Sequence, residues 1–293
     1  MKRVIALGFF DGVHLGHAAL LQKARQEADR LGCSAAALTF DRHPEEVISG
    51  KKLLLLNTPQ DRERIMKEQY HMDEVIVLPF DERMMHMSRE EFVQSILVEQ
   101  LQVESVVCGH DFTFGYKGLG NARTLQETFG ERCHVIEPVM MDGQIISSTA
   151  IRGLLQNAKV EQANRLLGHN HFLTSTVIHG KHLGRKIGIP TANLLLPEDV
   201  MPPVYGVYVS LANGLPAVTN IGFRPTMDDG EAATVESWLL DFRGNLYGKT
   251  MKVELLQYIR PEKKFASVKE LRDQIFRDGD VVRQYLKLKP LKD

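Results

Sequence analysis

The chain has 293 residues, 43% of them hydrophobic, and a formal net charge of −1 from 36 lysines and arginines against 37 aspartates and glutamates. That length exceeds one average domain, and so even a balance offers no basic field to nucleic acid and no like-charge run to a membrane surface, which leaves small-molecule chemistry favoured. Cys33, Cys108 and Cys133 are far apart and form no CxxC, which argues against a disulfide framework or a cysteine zinc site and for reduced thiols in a cytoplasm.

Lys2-Arg3 before an apolar run imitates a secretory signal, but the run stops at Asp11 without a cleavage site, and nothing approaches the roughly 20 apolar residues of a membrane span. Residues 4–10 read as a strand, and residues 17–30 have helical periodicity. Between them GFFDGVHLGH (8–17) makes a strand, a tight turn and a helix start, with His14 and His17 three apart on the opening turn. In an open α/β sheet such a junction lies at the carboxyl end of a strand and turns free N–H groups towards phosphate. A helix that merely begins with two histidines is the plain alternative.

Residues 35–40 form the next apolar run and end in Asp41-Arg42-His43-Pro44. Thr58 and Pro59 suit the N-cap and first position of a helix reaching about Tyr70, and residues 74–78 are again strand-like. Ser88 with Glu91 makes a capping box for a helix through Leu101, before a β-like run at 105–108. Strands separated by helices of this length predict βαβ units and a doubly wound α/β domain over residues 1–155.

Two loops here carry more chemistry than packing requires. GHDFTFGYKGLGN (109–121) combines four glycines, which allow close backbone approach, with aromatic faces suited to a planar ring. SSTAIR (147–152) reads as a helix start with three hydroxyls and an arginine, the groups of an anion site. Taken singly, a surface loop and an ordinary N-cap explain them; their interest is in coinciding with HLGH at one sheet edge.

After a helical connector at 151–167 the pattern changes. Residues 172–178, 204–211, 215–221, 234–242 and 250–259 read as strands, which suggests an antiparallel barrel. From Ser267, with Glu270 at N3, a terminal helix reaches about Leu286, with a break expected at Asp278-Gly279. In HGKHLGRKIGIPTAN (179–193), Gly180, Gly184 and Gly188 flank Lys181, Arg185 and Lys186, a basic loop suited to polyphosphate or a solvated turn. Thr191 and Asn193 would lie on one side of an extended chain and could join nucleotide oxygens around Mg²⁺, although PTAN taken alone reads first as a simple turn. Glu236, an acid inside TVESWLL, needs either solvent on an outward face or a task. Gly248-Lys249-Thr250 lacks the first glycine of a P-loop, and His169, His171, His179 and His182 lack companions at zinc-site spacing.

Together these motifs resemble a known family. GFFDGVHLGH, TFDRHP (39–44), GHDFTFGYKG and SSTAIR are similar to the adenylyltransferase half of bacterial bifunctional riboflavin kinase/FAD synthetases, whose HxGH element is shared with the wider nucleotidyltransferase superfamily. HGxxxGRxxGxPTAN, YGVY (205–208), NIGFRPT (220–226), VESWLLDF (235–242) and residues 259–265 resemble the riboflavin kinase module, a six-stranded β-barrel. The resemblance implies phosphorylation of riboflavin to FMN and adenylylation of FMN to FAD, with ATP, riboflavin and FMN as substrates, Mg²⁺ as cofactor, and neither nucleic acid nor membrane as partner. It implies an adenylyltransferase domain at 1–155, a helical linker at 156–170 and a kinase barrel at 171–293.

By the same resemblance Glu236 is the kinase base, Thr191 and Asn193 hold Mg²⁺-ATP, and Gly180, Gly184, Arg185 and Gly188 cover its phosphates. His14, His17 and Arg152 neutralise charge in adenylylation; Gly8, Phe9, Asp11, Gly16, Asp111, Lys117, Ser147, Ser148 and Thr149 bind nucleotide or flavin. Leu119 departs from the family, which commonly has a basic residue there, and Lys117 is the cation that could compensate. Arg224, Phe265 and the terminal helix are candidates for contact with the flavin ring. A kinase without adenylylation and a flavin-binding regulator without turnover are the narrower readings.

Overall fold

The structure is a computed structural model describing residues 2–180, 184, 188–225 and 231–288, so Lys181, His182, Arg185, Lys186 and the side chain of Arg224 lie outside the described set. The chain divides into two units, Met1–Ser148 and Thr149–Asp293.

In the first unit, apolar strands alternate with helices. They run β1 (Arg3–Leu7), α1 (Leu15–Leu31), β2 (Ser34–Phe40), α2 (Pro44–Ser49), α3 (Pro59–Glu68), β3 (Glu74–Leu78), α4 (Glu82–His86) and α5 (Arg89–Glu91). Then come β4 (Val103–Gly109), the short pair β5 (Thr113–Phe114) and β6 (Gly120–Asn121), α6 (Ala122–Phe129), β7 (Cys133–Ile136), and the pair β8 (Met140–Met141) and β9 (Gln144–Ile145). The main sheet is parallel in the order β3-β2-β1-β4-β7. Its central strands are covered on both faces, so β1 and β2 are almost wholly buried, and Ile5, Leu7, Leu38, Leu97 and Leu125 meet in one core. Strand order reverses between β1 and β4. The loops leaving their carboxyl ends, 8–14 and 110–112, therefore border the crevice where such sheets bind ligands.

Two local expectations are corrected. The first strand ends at Leu7, not at residue 10, because Phe10 is left-handed (φ 60°) and Gly12 and Val13 also have positive φ (78° and 42°). The helix expected to run from Ser88 to Leu101 is α-helical only to Glu91; Phe92–Gln100 is π-wound, closing with the Leu101 N–H on the Ile96 carbonyl at 2.9 Å. Thr58 and Ser88 cap their helices as expected, accepting from the N–H groups of Asp61 (3.1 Å) and Glu91 (3.0 Å).

From α7 (Ser148–Gln156) and α8 (Val160–Leu167) the chain enters β10 (His171–Ile178), β11 (Ala192–Leu195), β12 (Gly206–Ala212), β13 (Leu215–Pro225), β14 (Glu231–Leu239) and β15 (Thr250–Arg260), then α9 (Val268–Tyr285). The six strands close an antiparallel barrel in the order β10-β11-β14-β13-β12-β15. Alternation decides what is inside: Tyr208, Ala217, Ile221, Val235 and Leu239 fill the core, and between them Ser210, Thr219 and Ser237 form a buried hydroxyl chain with 2.7 and 2.8 Å contacts. His171 is also fully buried; its backbone N–H donates to Asn164 Oδ1 at 2.7 Å, but neither ring nitrogen has a hydrogen-bond partner among the described residues, and burial drives its pKa down to about 3.

Here too the sequence needs correcting. The turn expected at PTAN is in part strand: Ala192 and Asn193 open β11, which had no counterpart among the predicted strands. The strand expected at 234–242 starts and ends three residues earlier, set by pairing along β13 from Pro225↔Glu231 to Ala217↔Leu239. The break at Asp278-Gly279 is absent. Asp278, 2% exposed, accepts from Arg260 Nη2 at 2.7 Å, Arg260 Nε at 3.1 Å and Gln274 Nε2 at 2.9 Å, and Val282 beneath it joins a core with Val207 and Val209. This docking outweighs the roughly 1 kcal/mol that a glycine costs a helix.

Trp238, the single tryptophan, meets Phe276 of α9 edge to face at 5.6 Å and so reports on that docking. Asp278→Ala strands the Arg260 charge and is expected to cost about 3–5 kcal/mol, while Asp278→Leu combined with Arg260→Leu costs less. Urea titrations followed by tryptophan fluorescence measure both.

Two candidate active sites

In the first unit the site is built on the turn after β1. A bulky residue at positive φ stores about 1–3 kcal/mol, and Phe10 is held there because its ring is fully buried, so close under Gly8 that a Cβ on Gly8 would lie 3.1 Å from it. Asp11, 2% exposed, accepts the Leu56 N–H on Oδ1 and the Ser148 hydroxyl on its carbonyl, each at 2.9 Å. Phe9 offers its carbonyl to Thr39 Oγ1 (2.9 Å) and to Arg62 Nη1, and the buried Arg62 guanidinium sits 4.2 Å over the Phe9 ring.

These ties aim the histidines. His14 lies just outside α1 as its N-cap, Nδ1 accepting the His17 N–H at 3.3 Å, and the two rings stack at 3.6 Å and 16°. Gly16 is required, since a Cβ there would be 3.0 Å from the His14 ring. His17 stands edge-on to Phe10 at 5.3 Å, and its Nδ1 is buried without a partner among the described residues. Burial, then His14, then Arg62 hold its pKa well below the usual histidine range, so the ring is neutral at pH 7. Ser148 ties the start of α7 to this turn, with Ser147 half-buried beside it. Thr149 and Arg152 follow in α7 within the second unit.

A cavity of about 350 Å³ adjoins the loop after β4, lined by Phe40, Pro44, Met84, Met87, Phe112 and Lys117 among others. Its glycines are tightly placed: Gly115 (φ 72°) lies against the Arg89 backbone, and Gly120 lies under the Phe114 ring. Lys117 extends its amine over Tyr116 at 5.2 Å. Asp111 is 81% exposed and does not line this cavity, and Leu119 is 63% exposed. The Leu119 carbonyl accepts from Arg89 at 3.4 Å, so α5 brings a cation to the position where sequence showed none. The methionines were missed because their stretch precedes a helix cap and has no strand or helix period; as flexible thioethers they suit an adaptable apolar wall.

In the barrel, Glu236 of β14 pairs directly with Asn193 of β11 on one side and Asn220 of β13 on the other, so the three side chains share a face. That face is outward, opposite Val235 and Ser237, but it walls a cavity of about 260 Å³ that Thr191, Asn220, Glu262, Phe265 and Asp278 also line. A second cavity, about 360 Å³, is lined by Asn193, Phe242, Asn245 and Tyr247, and Thr191 borders both. Asn193 Nδ2 donates to the carbonyl and hydroxyl of Thr191 at 3.3 and 3.4 Å. A Cβ on Gly180 would come within 2.6 Å of the Asn193 amide, and one on Gly184 within 3.3 Å of Thr191 Oγ1, so both glycines press backbone onto this pair; Gly188 turns at φ 78°. Asn220 and Glu262 were not singled out from sequence. Asn220 Nδ2 donates to Glu262 Oε1 at 3.0 Å, and only the register shows that Asn220 stands opposite Glu236.

Comparison with known proteins bears on both halves. A family model described as FAD synthetase matches residues 1–150, and one described as riboflavin kinase matches residues 167–286. Bifunctional riboflavin kinase/FMN adenylyltransferases from Listeria monocytogenes (37% identical, covering 97% of this chain and 93% of that protein), Bacillus subtilis (38%, 97% and 92%) and Escherichia coli K12 (36%, 97% and 93%) are similar along nearly their whole length. A crystal structure described as a macrolide-efflux protein from Streptococcus pneumoniae superposes with a TM-score of 0.85 at 31% identity, covering 96% of this chain and 94% of that one. No helix among the described residues is long and apolar enough to cross a membrane.

A buried histidine with a depressed pKa binds its proton more readily when unfolded, so His17 destabilises the fold as pH drops below about 6.5 and is neutral in effect above it. His17→Phe keeps the stacking but removes this titration. Urea midpoints of the variant are expected to fall less between pH 8 and pH 5 than those of the wild type, with the residual fall including His171.

Proposed function

The chain belongs to the family of bifunctional riboflavin kinase/FMN adenylyltransferases, phosphorylating riboflavin to FMN and adenylylating FMN to FAD, and from that premise we propose which residues carry each step. The adenylyltransferase is assigned to residues 1–155, a helical linker to 156–170 and the kinase to 171–293, in a cytoplasmic enzyme whose partners are its small-molecule substrates.

In the kinase, the ribityl hydroxyl must lose its proton as its oxygen bonds to the γ-phosphorus of ATP. Glu236 is the base, and the observation that carries this reading is its place between Asn193 and Asn220 on a cavity wall. Riboflavin occupies the cavity bordered by Phe265 and Asn220, ATP occupies the neighbouring one bordered by Tyr247, and Thr191 stands between them. The neutral oxygens of Thr191 and Asn193, with two glycines packed on them, fit Mg²⁺ bound chiefly through nucleotide phosphates. When bound, that ion neutralises phosphate charge. Gly180, Gly184, Arg185 and Gly188 belong to the segment that covers the phosphates.

In the adenylyltransferase the nucleophile is the FMN phosphate, already largely dianionic at pH 7 because its second pKa is about 6, so no base is needed. Charge on the ATP triphosphate must instead be met by donors. The stacked pair His14 and His17, fixed at the start of α1, supports this role. Each imidazole can donate a hydrogen bond, and by the family resemblance Arg152, Ser147, Ser148 and Thr149 of the SSTAIR motif are assigned to the same step. Gly8, Phe9, Asp11 and Gly16 shape the nucleotide side; Asp111 and Lys117 belong to the flavin loop. The isoalloxazine ring suits the cavity of Phe40, Met87 and Phe112, whose aromatic and thioether walls match a planar apolar ring.

With riboflavin and Mg²⁺-ATP the protein is expected to form FMN and then FAD, and chromatography of the flavins separates them. Glu236→Gln lowers FMN formation by about 10²–10⁴-fold while supplied FMN is still adenylylated, and His17→Ala gives the converse pattern. Loss of both activities in either soluble variant refutes the division of labour. Phe112→Ala raises the KM for FMN by about tenfold and spares riboflavin phosphorylation; an unchanged KM refutes the ring cavity.

A further inference from the structure

Arg62, the fourth residue of α3, carries none of the roles assigned above, yet it is only 1% exposed in a short and otherwise polar helix. Its neighbour Arg64 shows the ordinary arrangement, partly exposed and paired with Asp61 at 2.8 Å. Taking a guanidinium out of water is costly, so a buried one persists only where strong bonds offset that cost.

Those bonds reach the turn after β1. Nη1 donates to the Phe9 carbonyl while the guanidinium lies 4.2 Å over the ring of the same residue, so one side chain holds Phe9 by backbone and by ring. Thr39 Oγ1 donates to the same carbonyl at 2.9 Å, but a neutral hydroxyl makes the weaker bond. Phe9 directly precedes Phe10, whose φ of 60° is strained by an amount comparable with one charge-assisted hydrogen bond. That bond therefore decides whether the turn can relax. The helix carrying Arg62 is itself pinned, by the Thr58 cap at 3.1 Å and by the Leu56 N–H on Asp11 Oδ1 at 2.9 Å. Arg62 also acts on His17, whose pKa it helps to lower after burial and His14.

We propose that Arg62 is a positioning residue for adenylyl transfer, clamping Phe9 so that the strained turn and the stacked histidines are aimed at the triphosphate before ATP arrives. The inference rests on the assignment of ATP to the HxGH turn made above. Donors fixed in advance need no reorganisation when charge develops, whereas a relaxed turn has to be re-formed at each encounter. The loss on removing Arg62 therefore falls on ATP and on the adenylyl step. The cavity assigned to the flavin ring is spared, since neither Phe9 nor Arg62 lines it.

The test follows FAD formation by the full-length enzyme from FMN and Mg²⁺-ATP. Arg62→Met, which keeps an apolar stem but neither donor nor charge, is expected to raise the KM for ATP by about tenfold or more and to leave the KM for FMN and riboflavin phosphorylation at wild-type values. Arg62→Lys keeps a charged donor and loses only the planar stack, so its KM for ATP is expected within about threefold of wild type. Arg62→Gln, too short to span from α3 to the Phe9 carbonyl, gives the same loss as Met and takes its place should Met prevent folding. An unchanged KM for ATP in the loss variant overturns the proposal. So does a matching rise in the KM for FMN, which means that Arg62 only holds the first unit together, and so does a Lys variant no better than Met, which means that packing alone is at work. His17→Ala separates the two readings: wild-type kinetics there refute the ATP site itself, whereas lost FAD formation there with wild-type kinetics in Arg62→Met refutes only the clamp.

Discussion

The first unit depends on how Asp11 is bonded. A buried carboxylate without donors would be intolerable, and here one oxygen takes the Leu56 N–H while the residue's own carbonyl takes the Ser148 hydroxyl. Three segments distant in sequence are thereby fixed to one turn: the exit of β1, the chain before α3 and the start of α7. The strain at Phe10 persists because these bonds and the packing around its ring leave the backbone no relaxed alternative. His14 becomes an N-cap instead of a helical residue, and that is what lets its ring lie flat on His17.

In the barrel the governing constraint is closure. Six strands leave no free edge only if β11 enters between β10 and β14, and that short strand carries Ala192 and Asn193. Once β11 is seated, pleat and register place Asn193, Glu236 and Asn220 in a row on the outer face, while the hydroxyl chain and the aliphatic core turn inward. The ordinary explanation of Glu236, an acid on an outward face, is therefore correct as geometry. What makes it more than ordinary is that α9 and residues 262–265 cover that face, held by the Arg260–Asp278 pair.

Much of this was legible in the chain. The parallel sheet followed from strands spaced by helices, and the helix starts followed from Thr58-Pro59, Ser88 and Ser267, since a cap is a local bond between near neighbours. What failed was whatever depends on distant partners. The unbroken α9 needs Arg260 to offset a glycine, β11 needs β14 to pull PTAN into extension, and the cavity beside the loop after β4 draws on Phe40 from the end of β2, Met84 from α4 and Phe112 from the loop itself. None of these has a periodic or short-range signature.

By itself the sequence determined the class of each half and the motifs with chemistry in them, because periodicity, capping and turn residues act within a few positions. Only the tertiary structure decided how those motifs face one another. It stacked His14 on His17, set His43 and His17 against neighbouring phenylalanines, and placed Asn220 opposite Glu236. Ring packing and strand register are settled by contacts between residues far apart in the chain, and a burial that depresses the pKa of His17 exists only once the surrounding segments have closed over it.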